Sequence, residues 1–239
     1  MIEKTSIIIV TKDKTQVNRW ITSTCLSNIE MYTNSDEYEI ILVDNEPLME
    51  KLDERYKYFT LAKHIINRPD IGYSASINQG VRASDRSTKY LCFMHPDVFI
   101  HEGWLPGLRK YLESGEYDAV YPSQAPMKRE QVLASYREEG RGPDDAGIDF
   151  MTRDLFERMG GLDERFRTLY SEAALRNRLG LVTGRCNVKY TNSVIFTHIN
   201  AGTLNQDWTE SYKASTAEGA FLNEYRATPC PIIIKPFEY

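Results

Sequence analysis

The stretch SIIIVT at residues 6–11 decides the fold class of this chain. It is a short apolar run rich in β-branched residues, which is typical of a strand buried on both faces of a sheet. A second run of this kind, EIILVDN, occupies residues 39–45, and residues 15–32 between the two carry a helical pattern. Two buried strands separated by a helix predict a βαβ unit with parallel strands.

The alternation of strand and helix continues along the chain and becomes less regular after residue 100. Further strands are predicted at residues 63–66, 89–94, 118–122, 147–152 and 188–198. Further helices are predicted at residues 48–56, 74–83, 103–113, 153–159, 171–179 and 208–225, with an extended tail at 229–239. Residues 124–147 are polar and predict a mobile loop with a short helix at 128–138. The pattern predicts a single α/β domain over 1–239, Rossmann-like, with a mainly parallel mixed central sheet flanked by helices.

Composition narrows the class of protein. The chain has 239 residues, of which 41% are hydrophobic and 26% charged, with a net charge of −5 and a pI of about 5.5. This acidic balance disfavours nucleic acid as a partner, although a local basic groove is compatible with it. Because no CxxC pair occurs, free thiols are expected rather than disulfides or a zinc site, at Cys25, Cys92, Cys186 and Cys230.

Hydropathy indicates no transmembrane segment. No apolar run approaches the roughly 20 residues that span a bilayer, and the run at residues 6–10 is too short for a signal-peptide core. The expected location is the cytoplasm, with peripheral attachment to a membrane left open.

Polar residues follow the predicted parallel strands, and in open α/β sheets ligands bind outside these carboxyl ends. The strand ends carry Thr11, Asp44 with Asn45, residues 67–70 and residues 95–97. The chain lacks both GxGxxG and GxxxxGK[ST], so a nucleotide would not be held by a dinucleotide or P-loop motif.

Taken together, the segments resemble the inverting family-two glycosyltransferases, which have the nucleotide-sugar-binding GT-A fold. The two opening strands are followed by DIGYSASINQG at 70–80, which is similar to that family's Gly-aromatic and Asn-x-Gly segment. YLCFMHPDV at 90–98 resembles the strand with its Asp-x-Asp signature, and GGLDERF at 160–166 its Gly-Gly-Phe-Asp-Glu segment. LYSE at 169–172 aligns with the helix that carries the family's catalytic acidic residue. The resemblance covers roughly residues 5–203.

The resemblance implies a role for each matching residue. The residues of the nucleotide-sugar site would be Thr11, Asp44, Asn45, Asp70, Asn78, His95 and Asp97. A divalent metal, Mn²⁺ or Mg²⁺, would be held by Asp97 with the late His198 and with His95. Glu172 would be the general base, and Asp163 would lie near the acceptor. Residues 1–100 would form the nucleotide-sugar-binding half, and residues 101–239 the acceptor half with the loop 124–147.

Two positions depart from the family pattern. His95 stands where the first Asp of the Asp-x-Asp signature is usual, and an imidazole suits Mn²⁺ better than Mg²⁺. Ser171-Glu172 stands where Glu-Asp is usual, so the position of the base keeps a carboxylate that is one methylene longer.

The function implied is transfer of a sugar from a nucleotide-diphosphate sugar to a hydroxyl of a glycan or similar acceptor. A UDP-sugar is the first choice of donor and dTDP-rhamnose the next. One alternative is a nucleotide-sugar-binding protein with impaired catalysis, suggested by His95 and Ser171. A nucleotidylyltransferase is disfavoured because no glycine follows the first strand in VTKDK at residues 10–14.

Overall fold

A computed structural model describes residues 3–45, 47, 56–124, 147–168, 171–198, 218–219 and 237–239. Of the sequence predictions, the helix at 128–138, most of the loop 124–147 and Cys230 lie outside these residues. The same holds for most of the predicted helices at 48–56 and 208–225 and of the extended tail.

The described strands form one eight-stranded mixed sheet in the order β3-β2-β1-β4-β7-β6-β8-β5. The strands are β1 Thr5–Thr11, β2 Tyr38–Asn45, β3 Lys63–Asn67, β4 Tyr90–Met94, β5 Val98–Ile100, β6 Ala119–Gln124, β7 Ile148–Thr152 and β8 Val188–His198. The first four in the sheet are parallel to one another. β7 is antiparallel to both β4 and β6, β6 is parallel to β8, and β5 is antiparallel to β8. The predicted mainly parallel mixed sheet is confirmed.

Helices cover both faces of the sheet. They are α1 Gln16–Tyr32, α2 Tyr73–Ala83, α3 Trp104–Glu113, α4 Arg153–Arg158 and α5 Ser171–Thr183. On one face, Ile7 and Ile9 of β1 belong to a core with apolar residues of α1 and α3. On the other, Ile8 and Val10 belong to a core with α2, α4 and α5. Alternate residues of β1 therefore serve two cores, which is why this strand is apolar throughout.

The strand β5 is an element that the sequence pattern did not predict. It begins directly after Asp97 and has three residues, which are too few to show the alternation of apolar and polar residues that predicts a strand. Its antiparallel pairing sets Val98 opposite His198, the last residue of β8. This short strand brings two polar residues from distant parts of the chain to one place.

No helix among the described residues is long and apolar enough to cross a membrane.

Gly72 and Arg167 form a close contact between the two halves of the chain. The backbone N–H of Tyr73, the first residue of α2, donates to the carbonyl of Arg167 at 2.7 Å. Gly72 has φ +89°, and a Cβ added there would lie 2.9 Å from the Cβ of Arg167. Glycine is required here both by its backbone conformation and by the space available.

We expect Gly72→Ala to lower the free energy of unfolding by at least about 2 kcal/mol. The strain of a side chain at this backbone conformation and the steric clash with Arg167 both contribute to this loss. Gly103→Ala is the matched control, since Gly103 has φ +76° but nothing within 4 Å of an added Cβ. In urea denaturation, the control should lower the free energy of unfolding by only about 1 kcal/mol. Equal losses in the two variants would contradict the close packing against Arg167.

Candidate functional site

The carboxyl ends of β1, β2 and β3 lie side by side because the three strands are parallel and in register. Thr11 is paired with Asp44, and Asn45 with Asn67. The structure thus brings together Thr11, Asp44 and Asn45, three of the residues assigned to the nucleotide-sugar site.

A network of side-chain amides holds this edge of the sheet against α2. Asn45 donates to the hydroxyl of Ser76 at 2.9 Å, and Asn67 donates to the Asn45 carbonyl oxygen at 3.0 Å. Asn67 and Gln79 exchange hydrogen bonds of 2.8 and 3.1 Å. The side chain of Asn45 therefore positions β2 against α2 in this structure.

Asp44 is fully buried at the end of β2. Its Oδ1 accepts the backbone N–H of Asp13 at 3.2 Å, while Oδ2 has no hydrogen-bond partner in the part of the chain that is described. Burial, followed by repulsion from the Asp13 carboxylate, raises the pKa of Asp44 to about 7. A buried acceptor without a partner is a suitable contact for a polar group of a ligand.

Asp13 is a site residue that sequence reasoning missed. It is fully buried, two residues after the end of β1. Its Oδ1 accepts from the hydroxyls of Thr11 at 2.6 Å and Thr22 at 2.9 Å, and its Oδ2 accepts from Tyr56. The sequence signal that could have identified Asp13 is an acidic residue just beyond the strand end at which Thr11 lies.

A second polar group forms where β4 ends and where β5 and β8 meet. The ligand atoms of His95, Asp97 and His198 all lie within 4.8 Å of one another. His198 Nε2 is 3.0 Å from Asp97 Oδ1, and these two side chains are buried. The His95 ring packs edge-on against Tyr73 with centroids 5.7 Å apart, and lies 5.5 Å from the His198 ring.

Two imidazoles and a carboxylate are a donor set that fits a divalent transition metal. Their candidate ligand atoms lie close enough together for the three side chains to serve one ion. This set suits Mn²⁺ better than Mg²⁺, which prefers oxygen ligands. The three residues assigned to the metal from sequence are therefore brought together.

Asp70 lies in the loop between β3 and α2. Its carboxylate accepts the N–H of Gly72 at 2.7 Å and pairs with Lys12 Nζ at 3.0 Å. Burial acts to raise its pKa, but the Gly72 hydrogen bond and Lys12 outweigh it, so the pKa of Asp70 is below its usual value. Asp70 is therefore a carboxylate at neutral pH, tied to the end of β1 through Lys12.

Asn78 and Asp163 are engaged with the segment 160–166. The Asn78 amide accepts from the N–H of Leu162 at 2.9 Å and donates to the Leu162 carbonyl and to Glu164, both at 2.9 Å. Asp163 pairs with Arg165 at 2.7 Å. In this structure both side chains hold the segment that leads towards α5. The backbone of Glu172 lies in the first turn of α5, and its side chain lies outside the described part.

Solved structures of sugar transferases have the same fold. GalNAc-T7 with UDP, GalNAc and Mn²⁺ matches with a TM-score of 0.63 and 13% identity, over 82% of this chain and 44% of that one. S. aureus TarS 1–349 matches with a TM-score of 0.58 and 13% identity, over 80% and 60% of the two chains. S. aureus TarS matches with a TM-score of 0.60 and 11% identity, over 94% and 42%. This chain therefore spans about half the length of these relatives.

A search of curated proteins found no match. The sequence model described as "Glycosyl transferase family 2" matches residues 6–172, which is most of the chain. The match includes Thr11, Asp44 and Asp97 but ends before His198. With this match, and with the GT-A fold of its structural neighbours, the chain belongs to glycosyl transferase family 2.

Proposed function

We propose that this protein is an inverting glycosyltransferase that moves a sugar from a nucleotide-diphosphate sugar to a hydroxyl of a glycan or similar acceptor. The observation that carries the proposal is the group His95, Asp97 and His198 at the strand ends of a family-two fold, beside the edge that contains Asp44. A metal bound near the diphosphate and polar contacts to the nucleoside would hold such a donor, and the two groups of residues would supply them.

The donor would lie across the carboxyl ends of β1 to β4, in the half formed by residues 1–100. Thr11, Asp44 and Asn45 are assigned to the nucleoside, with Asp70 and Asn78 supporting the sugar-phosphate side. A UDP-sugar is the first choice, supported by the fold shared with a structure that contains UDP, and dTDP-rhamnose is the next. Uracil and thymine both present an imide N–H that a carboxylate such as Asp44 can accept.

The diphosphate of the donor would lie beside the three proposed metal ligands. When bound, a divalent metal offsets the negative charge that develops on the leaving phosphates. His95, Asp97 and His198 would hold that ion, with Mn²⁺ favoured over Mg²⁺ by the two imidazoles. Because β5 and β8 are hydrogen-bonded neighbours, Asp97 and His198 are already in contact before any donor binds.

Glu172 is assigned as the general base. Its carboxylate would take the proton of the acceptor hydroxyl while that oxygen attacks the anomeric carbon. The bond from the anomeric carbon to the phosphate oxygen breaks in the same step, and its electron pair stays on the diphosphate. Attack opposite the leaving group inverts the anomeric configuration. Asp163 and the half formed by residues 101–239, with the loop 124–147, would shape the acceptor site.

Replacing Glu172 with Gln should lower kcat by about 10²–10⁴-fold, because the amide cannot accept the proton. The dissociation constant for UDP should stay within about twofold, since the base does not contact the nucleotide. Glu116→Gln, at an exposed position, is the matched control and should leave both quantities unchanged. An equal loss of UDP binding and transfer in Glu172→Gln would refute its role as the base.

Donor binding should depend on a metal held by His95, Asp97 and His198. The shift in melting temperature caused by UDP, GDP, dTDP, CMP or AMP, measured with and without Mn²⁺, tests this dependence. A ligand at a hundredfold excess over its dissociation constant adds about 2.7 kcal/mol to the free energy of unfolding. We expect a Mn²⁺-dependent shift with UDP or dTDP. Binding of a nucleotide sugar with neither transfer nor hydrolysis would favour the alternative, a binding protein with impaired catalysis.

Asp97→Asn should weaken Mn²⁺ binding at least about tenfold, because the neutral amide is a poorer ligand than the carboxylate. Electron paramagnetic resonance of unbound Mn²⁺ measures this directly. Asp36→Asn is the control, since Asp36 is exposed and remote in sequence from the three ligands. The same Mn²⁺ affinity in wild type and Asp97→Asn would exclude this group as the metal site.

A further inference from the structure

Two buried carboxylates meet at the proposed nucleoside site. Asp13 follows β1 and Asp44 ends β2, and both are fully buried. They are joined directly, because the backbone N–H of Asp13 donates to Oδ1 of Asp44 at 3.2 Å. Two buried negative charges in neighbouring residues repel each other, so the pair is stabilised when one of the two carboxyl groups keeps its proton.

The hydrogen bonds of the two carboxylates are unequal. Asp13 accepts from three hydroxyls, those of Thr11, Thr22 and Tyr56. Asp44 accepts one backbone N–H, and within the described ranges its Oδ2 accepts none. Donors stabilise an ionised carboxylate, so the negative charge resides on Asp13 and the proton on Asp44.

The other charged or titratable groups that face the pair leave this assignment unchanged, with the charge on Asp13 and the proton on Asp44. Arg68, from the loop after β3, favours ionisation of Asp44, as does the Asp13 N–H, but burial and the Asp13 charge outweigh them and raise the pKa of Asp44 to about 7. Burial and then Asp13 raise the pKa of Tyr56, so its phenol stays a neutral donor. Lys12 is paired with Asp70 at 3.0 Å.

We propose that Asp13 determines base recognition by keeping Asp44 protonated in the ligand-free protein, so that an imide base such as uracil binds with release of one proton. This rests on the proposed function, in which Asp44 contacts the base. Oδ1 of Asp44 already accepts the Asp13 N–H, so the proton of Asp44 lies on Oδ2, the oxygen that is left for the base. There its O–H meets N3–H of uracil, a second donor, so the Asp44 proton passes to the solvent and Oδ2 accepts N3–H. Cytosine presents an acceptor at N3 and binds the protonated form without that release.

The test is titration calorimetry of UDP and CDP into the Mn²⁺-saturated protein, in buffers of different ionisation enthalpy. At about pH 6 the wild type should release close to one proton more for each UDP bound than for each CDP bound, and the ratio of its UDP affinity to its CDP affinity should rise at least about tenfold from about pH 6 to about pH 8. CDP has the same diphosphate, whose last proton ionises near about pH 6, so the comparison removes that contribution. Equal proton release with UDP and CDP at about pH 6 would overturn the inference.

Asp13→Asn is the decisive variant, because Asn keeps the shape and an acceptor oxygen but removes the charge. It should bind UDP about tenfold more tightly than wild type at about pH 6, with little proton release beyond that seen with CDP, and equally at about pH 8. Asp36→Asn, which removes an exposed charge, should behave like wild type. A pH dependence in Asp13→Asn that matches wild type would also overturn the inference.

A measurement without ligand separates this inference from the proposed function. The ¹³C carboxyl resonance of Asp44, identified by its loss in Asp44→Asn, should titrate near pH 7 in the wild type. A midpoint below about pH 5 would overturn the inference even if sugar transfer is demonstrated. Failure of every nucleotide to bind at any pH would overturn the proposed function, and with it the role in base recognition, while the resonance still reports which carboxylate holds the proton.

Discussion

The structure depends on the burial of β1 on both faces. Its parallel pairing with β2 and β4 places it in the middle of the parallel half of the sheet. Ile7 and Ile9 pack into one core while Ile8 and Val10 pack into the other. Gly80 of α2 approaches so closely that an added Cβ would lie 2.6 Å from a methyl carbon of Ile8. The register set by this strand brings the polar ends of its neighbours to one edge.

Burial then determines the chemistry of that edge. Asp13 and Asp44 are removed from water, and so are Asp97 and His198. Charged groups in such a place interact strongly with one another and with a ligand, because little solvent screens them. The Asp13–Asp44 pair and the group of His95, Asp97 and His198 thus differ in their proposed roles: the pair would contact a nucleobase, and the group would hold a cation beside a diphosphate.

The contacts of α2 join the proposed donor side to the proposed acceptor side. Asn78 binds the backbone of Leu162, and the N–H of Tyr73 binds the carbonyl of Arg167. Glu218 in turn accepts the N–H groups of Arg167 and Thr168, at 3.1 and 2.9 Å. The segment before α5 is therefore held from both sides, which restricts where the first turn of that helix, with Glu172, can lie.

The sequence by itself determined the local features: the buried strands, the helices between them, and the polar residues Thr11, Asp44 and Asp97 at strand ends. These follow from the period of apolar residues and from one rule about parallel sheets, and neither needs long-range information. Only the tertiary structure decided that Asp13 meets Asp44, that β5 pairs with β8 beside His198, and that Asn78 binds Leu162. Each of these contacts joins residues far apart in the chain, and their hydrogen bonds depend on burial and register that no local pattern records.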